Sequence, residues 1–284
     1  MSTLKIAIQK SGRLNEESIQ ILKDAGISID NGIDQLKAEA SNFPLEILYL
    51  RNSDIPQYLI DGVVDIAIVG DNLLVEKGGG IEVIQKLGFS KCKVSVAVPK
   101  AFDYISVQDL DGMRIATSYP KTVLDFFSSK GVKVDIHQIS GSVEIAPNIG
   151  LADAIVDIVS SGSTLFKNNL KEVEVIFKSE AVLAVSPRVS PESQKIIDTL
   201  KFRIESVLRA RKSKYILMNV PNDKIEAVGK ILPVLRSLTV LPLAQEGWSS
   251  VHSVIEKDTF WDVIDQLKEV GAEGILVCPI EKMV

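Results

Sequence analysis

Residues 144–165 read EIAPNIGLADAIVDIVSSGSTL. Within this stretch, residues 154–159 are predicted to form an apolar strand, with acids at Asp153 and Asp157. The strand runs directly into residues 160–164, a loop of small and hydroxyl-bearing residues that is placed to open a helix. A strand followed by a loop and a helix is the repeating unit of α/β proteins, so this stretch predicts an α/β fold.

The loop at 160–164 also predicts an anion site. It can present backbone N–H groups and the hydroxyls of Ser161, Ser163 and Thr164, while the helix N-terminus adds a favourable potential. Phosphate suits such a loop, and acids just upstream can accept hydrogen bonds from sugar hydroxyls. The alternative is a simple helix N-cap, in which Ser160 or Ser161 satisfies free amides and Gly162 eases the turn.

On both sides of this stretch, short apolar strands alternate with amphipathic helices, which favours βαβ units and a largely parallel sheet. The predicted helices include 16–25 and 121–130. The predicted strands are 4–9, 45–50, 64–69, 93–98, 114–117, 132–136, 154–159 and 173–177.

A second level of organisation divides this region into two lobes. The glycine run at 78–80 is predicted to be a flexible connection, and a fresh series of strands and helices follows it. A further apolar strand at 181–185 predicts a return crossing. We therefore predict a first lobe at 1–90 with a return segment at 180–212, and a second lobe at 91–179. A cleft between two such lobes is a common place for a ligand.

The C-terminal third predicts a separate module. Ser190 and Pro191 begin a long helix with one apolar face and a basic end. The order that follows, over 213–284, is βαββαβ, which is the ferredoxin-like arrangement. Its predicted strands are 214–220, 237–243, 249–256 and 274–279, and its predicted helices are 223–232, capped by Asn222, and 259–270, capped by Asp258 and ended by Gly271.

Composition excludes several classes of function. Of the 284 residues, 46% are hydrophobic and 24% charged, as in ordinary globular proteins, and the net charge of -5 argues against a general nucleic-acid binder. No apolar run approaches the length of a membrane helix, and no signal pattern precedes the first predicted strand. We therefore expect a cytoplasmic protein without a nucleic-acid or membrane partner.

The rare side chains narrow the chemistry further. The chain has two cysteines, Cys92 and Cys278, and two histidines, His137 and His252, without metal-ligand spacing around either pair. A disulfide framework, a zinc–thiolate site and a histidine-centred triad are therefore disfavoured. Any catalysis is expected to depend on carboxylates, basic residues, hydroxyls and backbone amides.

The whole pattern at 144–165 resembles the signature of the ATP phosphoribosyltransferase family. The N-terminal IQKSGRL at 8–14 is similar to that family's first loop, and the ending PIEKM at 279–283 is similar to the close of its long form, which has a histidine-sensing C-terminal domain. Further motifs in the same order are found at 54–56, 61–65, 68–72, 114–120 and 205–215.

This resemblance implies a reaction and its partners. The family transfers the phosphoribosyl group of 5-phosphoribosyl 1-pyrophosphate (PRPP) to N1 of ATP, releases pyrophosphate and requires Mg²⁺. Two periplasmic-binding-protein-like α/β lobes would enclose the site, and L-histidine would inhibit a homo-oligomer, a dimer or hexamer. Because the reaction builds positive charge on the sugar and negative charge on the leaving group, positioned donors and Mg²⁺ matter more than a histidine base. No protein ligand of the metal is assigned.

The resemblance also assigns PRPP to particular residues. The ribose hydroxyls are expected at Glu144, Asp153 or Asp157, although alternation along the strand could point Asp157 away. The 5-phosphate is expected at the loop formed by Ser160, Ser161, Gly162, Ser163 and Thr164.

The ATP and pyrophosphate side is expected on the first lobe. Catalytic roles are expected for Lys10 and Arg13, together with Asp153. The residues expected to contact ATP are Gly12, Leu14, Arg51 and Asp71. By themselves, Arg13 and Arg51 could equally be solvated surface charges, and Asp71 could be the N-cap of a short helix.

The regulatory ligand is expected in the C-terminal module. Rough correspondence to the long form places Asn219, Thr239 and Ala272 around L-histidine. Asn219 departs from expectation, because an acid there would pair better with the ligand's amino group.

Two other functions fit parts of the sequence. A two-lobed solute-binding protein would share the architecture, although such proteins are usually exported. An inactive regulatory paralogue would be expected to lack the phosphate loop or the basic residues Lys10 and Arg13, and this chain has all of them.

Overall fold

The computed structural model describes residues 3–30, 36–232 and 238–284. The chain forms two compact units, of which the first comprises residues 1–20 and 27–197 and the second comprises 21–26 and 198–284. The predicted return segment at 180–212 is therefore divided between the two units at residue 197. No described helix is both long enough and apolar enough to cross a membrane.

The elements up to residue 185 alternate between strands and helices. In chain order they are β1 (Leu4–Gln9), α1 (Arg13–Asp24), β2 (Lys37–Glu39), β3 (Leu45–Leu50), α2 (Ile55–Ile60), β4 (Ile66–Gly70), α3 (Asp71–Lys77), β5 (Glu82–Lys86), β6 (Cys92–Pro99), β7 (Arg114–Thr117), α4 (Pro120–Ser129), β8 (Asp135–Gln138), β9 (Ala154–Val159), α5 (Ser163–Lys167), β10 (Leu170–Ser179) and β11 (Ala181–Val185).

The first lobe contains a six-stranded sheet in the order β2-β3-β1-β4-β11-β5. Strand β1 pairs in parallel with β3 and β4, and β11 returns to pair antiparallel with β4 and β5. Every residue of β11 is buried, which explains its uninterrupted apolar sequence, AVLAV.

The second lobe contains a five-stranded sheet in the order β10-β6-β9-β7-β8. Strands β7, β8 and β9 are parallel, so the carboxyl ends of β7 and β9 lie at the same edge of the sheet. Helix α4 follows β7, and the loop at 160–164 follows β9. The hydrophobic core of the second lobe includes Val94, Val96, Ile115, Val123, Phe127 and Val156.

The remaining elements form the C-terminal sheet and the helix before it. They are α6 (Pro191–Lys212), β12 (Ser213–Pro221), α7 (Ile225–Ile231), β13 (Thr239–Pro242), β14 (Trp248–Glu256), α8 (Phe260–Glu269) and β15 (Glu273–Pro279). The strands form an antiparallel sheet in the order β13-β14-β12-β15. The predicted α/β fold and the ferredoxin-like βαββαβ arrangement of the C-terminal module are confirmed.

Some local predictions were wrong. Asn222 does not cap a helix through its side chain, because its Oδ1 accepts a hydrogen bond from Ser249 Oγ at 2.7 Å. Asp258 lies within a short 3-10 helix, and α8 begins after Thr259, without a side-chain cap. The predicted strand at 237–243 is found as β13, although Ser237 lies outside the described residues.

Candidate functional site

A pocket of about 280 Å³ lies at the carboxyl end of β9, within the second lobe. The loop at 160–164 forms one side of it, and Glu144, in a short 3-10 helix, forms another. Six of the residues predicted to bind PRPP line it, namely Glu144, Asp157, Ser160, Ser161, Gly162 and Thr164.

The loop turns sharply before α5. Gly162 has a φ of +74°, a left-handed conformation in which a side chain would be strained, so glycine is required there. Ser163 N lies 3.5 Å from Ser161 Oγ, at the limit of hydrogen bonding, and Gly162 at the N-cap position provides no side-chain cap. Ser161 Oγ also donates to Ser163 Oγ at 3.1 Å, so these two hydroxyls contact each other, and the plain helix-cap interpretation accounts for only part of the loop.

Asp157 lines this pocket. The alternation of side chains along β9 therefore does not point it away from the loop, which the sequence alone leaves open. Burial raises the pKa of its carboxyl above the usual value, and the nearby Glu144 adds to the rise. The Ile158 N–H opposes both effects by donating a hydrogen bond to Asp157 Oδ1 at 2.8 Å. Two acids thus share one small pocket, an arrangement that favours a hydroxyl-rich or cationic ligand.

Asp153 does not line this pocket, and its predicted contact with ribose and its predicted catalytic role stay predictions. Asp153 directly precedes β9, whereas the loop at 160–164 follows β9. The six residues of the strand therefore separate Asp153 from the loop by about 20 Å. Its carboxylate accepts hydrogen bonds from Arg114 Nη2 at 2.7 Å and from Arg114 N at 3.0 Å. These bonds hold the pKa of Asp153 below its usual value and join Arg114 of β7 to the start of β9.

A second pocket, of about 220 Å³, joins the two lobes. From the second lobe it is lined by Ile158 and Ser160, so it adjoins the pocket at the end of β9. From the first lobe it is lined by Gln9, Arg13, Leu14, Asn52, Gly70, Asn72 and Ser90, and Lys91 and Cys92 complete the side of the second lobe. The structure therefore brings Arg13 and Leu14 together with Ser160 of the loop at 160–164.

Arg13 begins α1 and is largely exposed. Its Nε lies 3.4 Å from Glu17 Oε1, one turn along the helix, so its guanidinium retains donors for a ligand. Gly12, just before it, has a φ of +86°, which lets the chain turn from β1 into α1.

Four predicted first-lobe residues do not line this pocket. Gly12 is exposed beside it, and Lys10 is exposed while its backbone N donates to Leu50 O at 2.8 Å. Arg51 is exposed immediately after β3. Asp71 is the first residue of α3, whose N-cap is Gly70, so the alternative role of Asp71 as the cap is also wrong.

Several pocket residues were not assigned from the sequence. Asn72 is buried, and its Nδ2 donates to the Tyr119 hydroxyl of the second lobe at 2.9 Å. Ser179 Oγ donates to Asn72 Oδ1 at 3.0 Å. Burial raises the pKa of Tyr119, and the charge of Asp157 adds to the rise. Asn72 and Tyr119 lie in the motifs at 68–72 and 114–120, but neither motif shows that they meet.

Asn52 is a further unassigned residue of the cleft. Its Oδ1 is buried and has no hydrogen-bond partner among the residues that the structure describes. A buried acceptor without a partner is costly, so a ligand that donates to it would recover that free energy.

The carboxylates of Glu144 and Asp157 are the groups of the loop pocket that suit Mg²⁺. Across the described ranges there is no cluster of three or more His, Cys, Asp or Glu side chains that could hold a metal. Magnesium is usually held by one or two carboxylates together with substrate oxygens and water, so two acids at a phosphate loop fit this ion.

The three residues predicted to bind histidine do not share one surface. Asn219 on β12 is opposite Ser250, and Thr239 on β13 is opposite His252, so these side chains lie on the same sheet face. The side chain of Ala272 instead packs in the hydrophobic core of the module, so only its backbone is available to a ligand.

Family comparisons cover nearly the whole chain. Residues 51–206 match the model of a family described as ATP phosphoribosyltransferase, and residues 210–282 match the model described as HisG, C-terminal domain. A relative from Cytophaga hutchinsonii, named ATP phosphoribosyltransferase, is 56% identical over 285 residues and covers 100% of both chains. One from Phocaeicola vulgatus with the same name is 53% identical, covering 99% of each.

Solved structures agree with these matches. One from Thermotoga maritima, described as an ATP phosphoribosyl transferase (HisG:HisZ) complex, is 31% identical with a TM-score of 0.61, covering 72% of this chain and 99% of that one. Another, described as Tv2483 bound to L-arginine, is 16% identical with a TM-score of 0.51, covering 73% and 85%, and it shares the fold alone.

Proposed function

Because this chain belongs to the ATP phosphoribosyltransferase family, in its long form with a C-terminal domain, we propose that its two adjoining pockets hold PRPP and ATP. The enzyme is a pentosyltransferase that catalyses the first step of histidine biosynthesis. The observation that supports this placement most strongly is that Ser160 lines both pockets. Two ligands that meet at Ser160 would have their reacting ends close together.

PRPP occupies the pocket at the end of β9. Its 5-phosphate accepts hydrogen bonds from the backbone amides and hydroxyls of the loop Ser160, Ser161, Gly162, Ser163 and Thr164. Its ribose hydroxyls donate to Asp157 and Glu144, which supply acceptors on the other side of the pocket. Asp153 has no role in this assignment.

ATP occupies the cleft pocket. Its adenine amino group donates to Asn52 Oδ1, the buried acceptor that lacks a partner among the described residues. Arg13 binds phosphate oxygens, and Leu14 provides an apolar contact for the base. Lys10 and Gly12 adjoin Gln9 and Arg13 in the chain and remain candidates for this side, as do Arg51 and Asp71.

The reaction then needs little acid–base chemistry. N1 of adenine attacks C1 of the ribose, the bond from C1 to the pyrophosphate oxygen breaks, and both bonding electrons leave with the pyrophosphate. Positive charge on the sugar is stabilised by the carboxylates of Asp157 and Glu144, and negative charge on the leaving group by Arg13 and Lys10. Mg²⁺, when bound, neutralises part of the pyrophosphate charge.

The regulatory and assembly roles are also part of the proposal. L-histidine binds the C-terminal module near Asn219 and Thr239, with the backbone at Ala272, and inhibits the enzyme. The chain assembles with copies of itself, as a dimer or hexamer, in the cytoplasm. Functional domains correspond to 1–90 with the return segment 180–212, to 91–179 and to 213–284. Family membership is incompatible with the solute-binding alternative.

The reaction is tested by measuring pyrophosphate and phosphoribosyl-ATP from the purified protein. Both products should appear together, and only when ATP, PRPP and a divalent cation are all present. Hydrolysis of PRPP without ATP, or binding of both substrates without turnover, as expected of the inactive paralogue, would contradict the proposal.

The loop is tested by Thr164→Val, which removes the hydroxyl but keeps the shape. The loss of a hydrogen bond to a charged phosphate should raise the KM for PRPP about tenfold or more, with the KM for ATP nearly unchanged. Thr164→Ser keeps the hydroxyl and is the matched control, which should retain most of the affinity. Equal PRPP affinity in the valine and serine variants would contradict phosphate binding by Thr164 and favour the alternative, in which the loop only begins a helix.

A further inference from the structure

A third pocket, of about 420 Å³, lies in the first unit, where two links pass between its sheets. Residues 87–91 link β5 to β6, and residue 180 links β10 to β11. Four lysines line it: Lys86, Lys91, Lys93 and Lys178. Since the whole chain has a net charge of -5, this pocket reverses the sign of the molecule locally. Its size falls within the range of small-ligand sites.

The lysines are held in an unfavourable arrangement. Lys178 of β10 is directly opposite Lys93 of β6 in the antiparallel pair, and like charges placed opposite each other destabilise a sheet. Lys93 is compensated by Glu172, whose Oε2 lies 2.6 Å from its Nζ. Within the described ranges, Lys86, Lys91 and Lys178 form no ion pair. An anion in the pocket would offset this repulsion.

The lining also contains one acid, Glu180, whose carboxylate offsets only part of the positive charge of the four lysines. Glu180 Oε2 accepts a hydrogen bond from Gly88 N at 2.9 Å, which holds its carboxylate against the backbone of the link between β5 and β6. The pocket therefore presents more donors and positive charge than its own acceptors satisfy.

The lysine pocket is continuous with the catalytic cleft. Lys91, Cys92 and Ser160 line both it and the cleft pocket that holds Arg13 and Asn52. Ser160 also borders the PRPP pocket. A ligand bound in the cleft can therefore extend a charged end toward the four lysines.

We propose that this lysine pocket is a subsite for a polyphosphate chain, either the triphosphate of ATP or the pyrophosphate that PRPP carries and releases. The inference rests on the proposed function, because it requires PRPP and ATP to occupy the two pockets that adjoin this one at Ser160. Lysine ammonium groups bind phosphate oxygens as point charges, and several along one groove suit a chain of phosphates better than a single one.

The test is the double variant Lys91→Ala/Lys178→Ala, compared with Lys133→Ala as a control of the same charge type. Lys133 is exposed and adjoins β8, at the opposite edge of the five-stranded sheet from β10. For each protein, the KM for ATP and for PRPP and the inhibition constants of AMP and of pyrophosphate are measured at fixed ionic strength.

If the triphosphate occupies the pocket, the double variant should raise the KM for ATP about tenfold, while the inhibition constant of AMP changes less than about twofold. If the pyrophosphate occupies it, the KM for PRPP and the inhibition constant of pyrophosphate should rise instead. Either pattern supports the subsite, and the difference between them identifies which of the two substrates supplies the phosphate chain.

Unchanged constants for all four ligands, or equal changes in the Lys133→Ala control, would overturn the subsite. That failure differs from failure of the proposed function, in which the unmodified protein itself makes no phosphoribosyl-ATP.

Discussion

Asp153 and Asp157 have the same side chain and lie four positions apart, the first directly before β9 and the second within it. Their surroundings nevertheless shift the pKa of the two carboxyls in opposite directions. Asp153 is paired with Arg114, and its pKa is lowered. Asp157 is half-buried beside Glu144, and its pKa is raised. A lowered pKa marks a carboxylate that stabilises the fold when ionised, whereas a raised pKa marks one whose ionised form the fold tolerates at a cost.

The two aspartates should therefore respond oppositely to replacement by asparagine. Asp153→Asn should lower Tm by about 2 °C at pH 7 with an unchanged KM for PRPP, because it loses a partly exposed ion pair. Asp157→Asn should keep or raise Tm and lower kcat/KM for PRPP about tenfold or more.

Their pH dependence follows from the same shifts. The stabilisation from Asp153 is present above the unfolded pKa of about 4 and is lost as pH falls through the lower folded pKa. The cost from Asp157 is absent at low pH and grows as pH rises toward its raised pKa. Thermal melts of both variants from pH 3 to 7 check these signs, and a substrate role for Asp153 would be indicated by loss of PRPP affinity in its variant.

Asn52 offers a separate test at the residue scale. Because its buried Oδ1 makes no hydrogen bond to the described protein, Asn52→Ala should change the free energy of unfolding by less than about 1 kcal/mol. It should raise the KM for ATP about fivefold, since the adenine amino group loses its acceptor. Asn222→Ala is the control, because it removes a hydrogen bond to Ser249 and should lower Tm without changing the KM for ATP. An unchanged ATP KM for Asn52→Ala would remove it from the site.

At the scale of elements, helix α3 of the first lobe supplies the cap for helix α4 of the second. Glu76 Oε2 accepts from Thr122 N and from Thr122 Oγ1, both at 2.8 Å, and Glu76 Oε1 accepts from Lys121 N at 2.9 Å. These are free amides of the first turn of α4, which has no side-chain cap of its own. The carboxylate therefore links the lobes that carry the two halves of the site.

Glu76→Ala should lower the free energy of unfolding by about 1–2 kcal/mol, as the loss of a helix cap does, and should lower kcat/KM for both substrates. Glu76→Gln keeps an acceptor and should restore most of the stability. Glu226→Ala, an exposed acid on α7 paired with Lys230, is the control and should leave both quantities unchanged. Equal kcat/KM in the Glu76→Ala and unmodified proteins would mean that the cap does not align the lobes.

Elements could be predicted from the sequence where burial imposes a clear pattern. Strands β9 and β11 are apolar runs of the predicted bounds, and the loop at 160–164 follows β9 as expected. Helix α2 was missed because six residues give too little periodicity, and α3 was indicated only by the alternative role of Asp71 at the start of a short helix. Asn72 and Tyr119 are 47 positions apart, so their hydrogen bond depends on how the lobes fold and could not be predicted from either motif.

For the molecule as a whole, the C-terminal module should make the enzyme sensitive to its pathway's end product. Titration calorimetry should detect L-histidine binding to the full chain, and saturating histidine should inhibit it. Thr239→Val or Asn219→Ala should weaken that inhibition about tenfold, a typical coupling magnitude, with kcat unchanged in the absence of histidine.

Asp262→Asn is the control for this prediction, because Asp262 lies on helix α8 rather than on the sheet face of Thr239. Full activity of the unmodified enzyme in saturating histidine would contradict the regulatory role. Equal inhibition of all the variants would place the ligand elsewhere.

The account depends most on where PRPP binds, and a crystal structure of the enzyme with PRPP and Mg²⁺ tests this directly. We predict that the 5-phosphate lies within hydrogen-bond distance of the loop 160–164, that the ribose hydroxyls contact Asp157, and that Asp153 remains paired with Arg114. A 5-phosphate bound away from the loop, or ribose hydroxyls bound to Asp153, would contradict the assignment of the site.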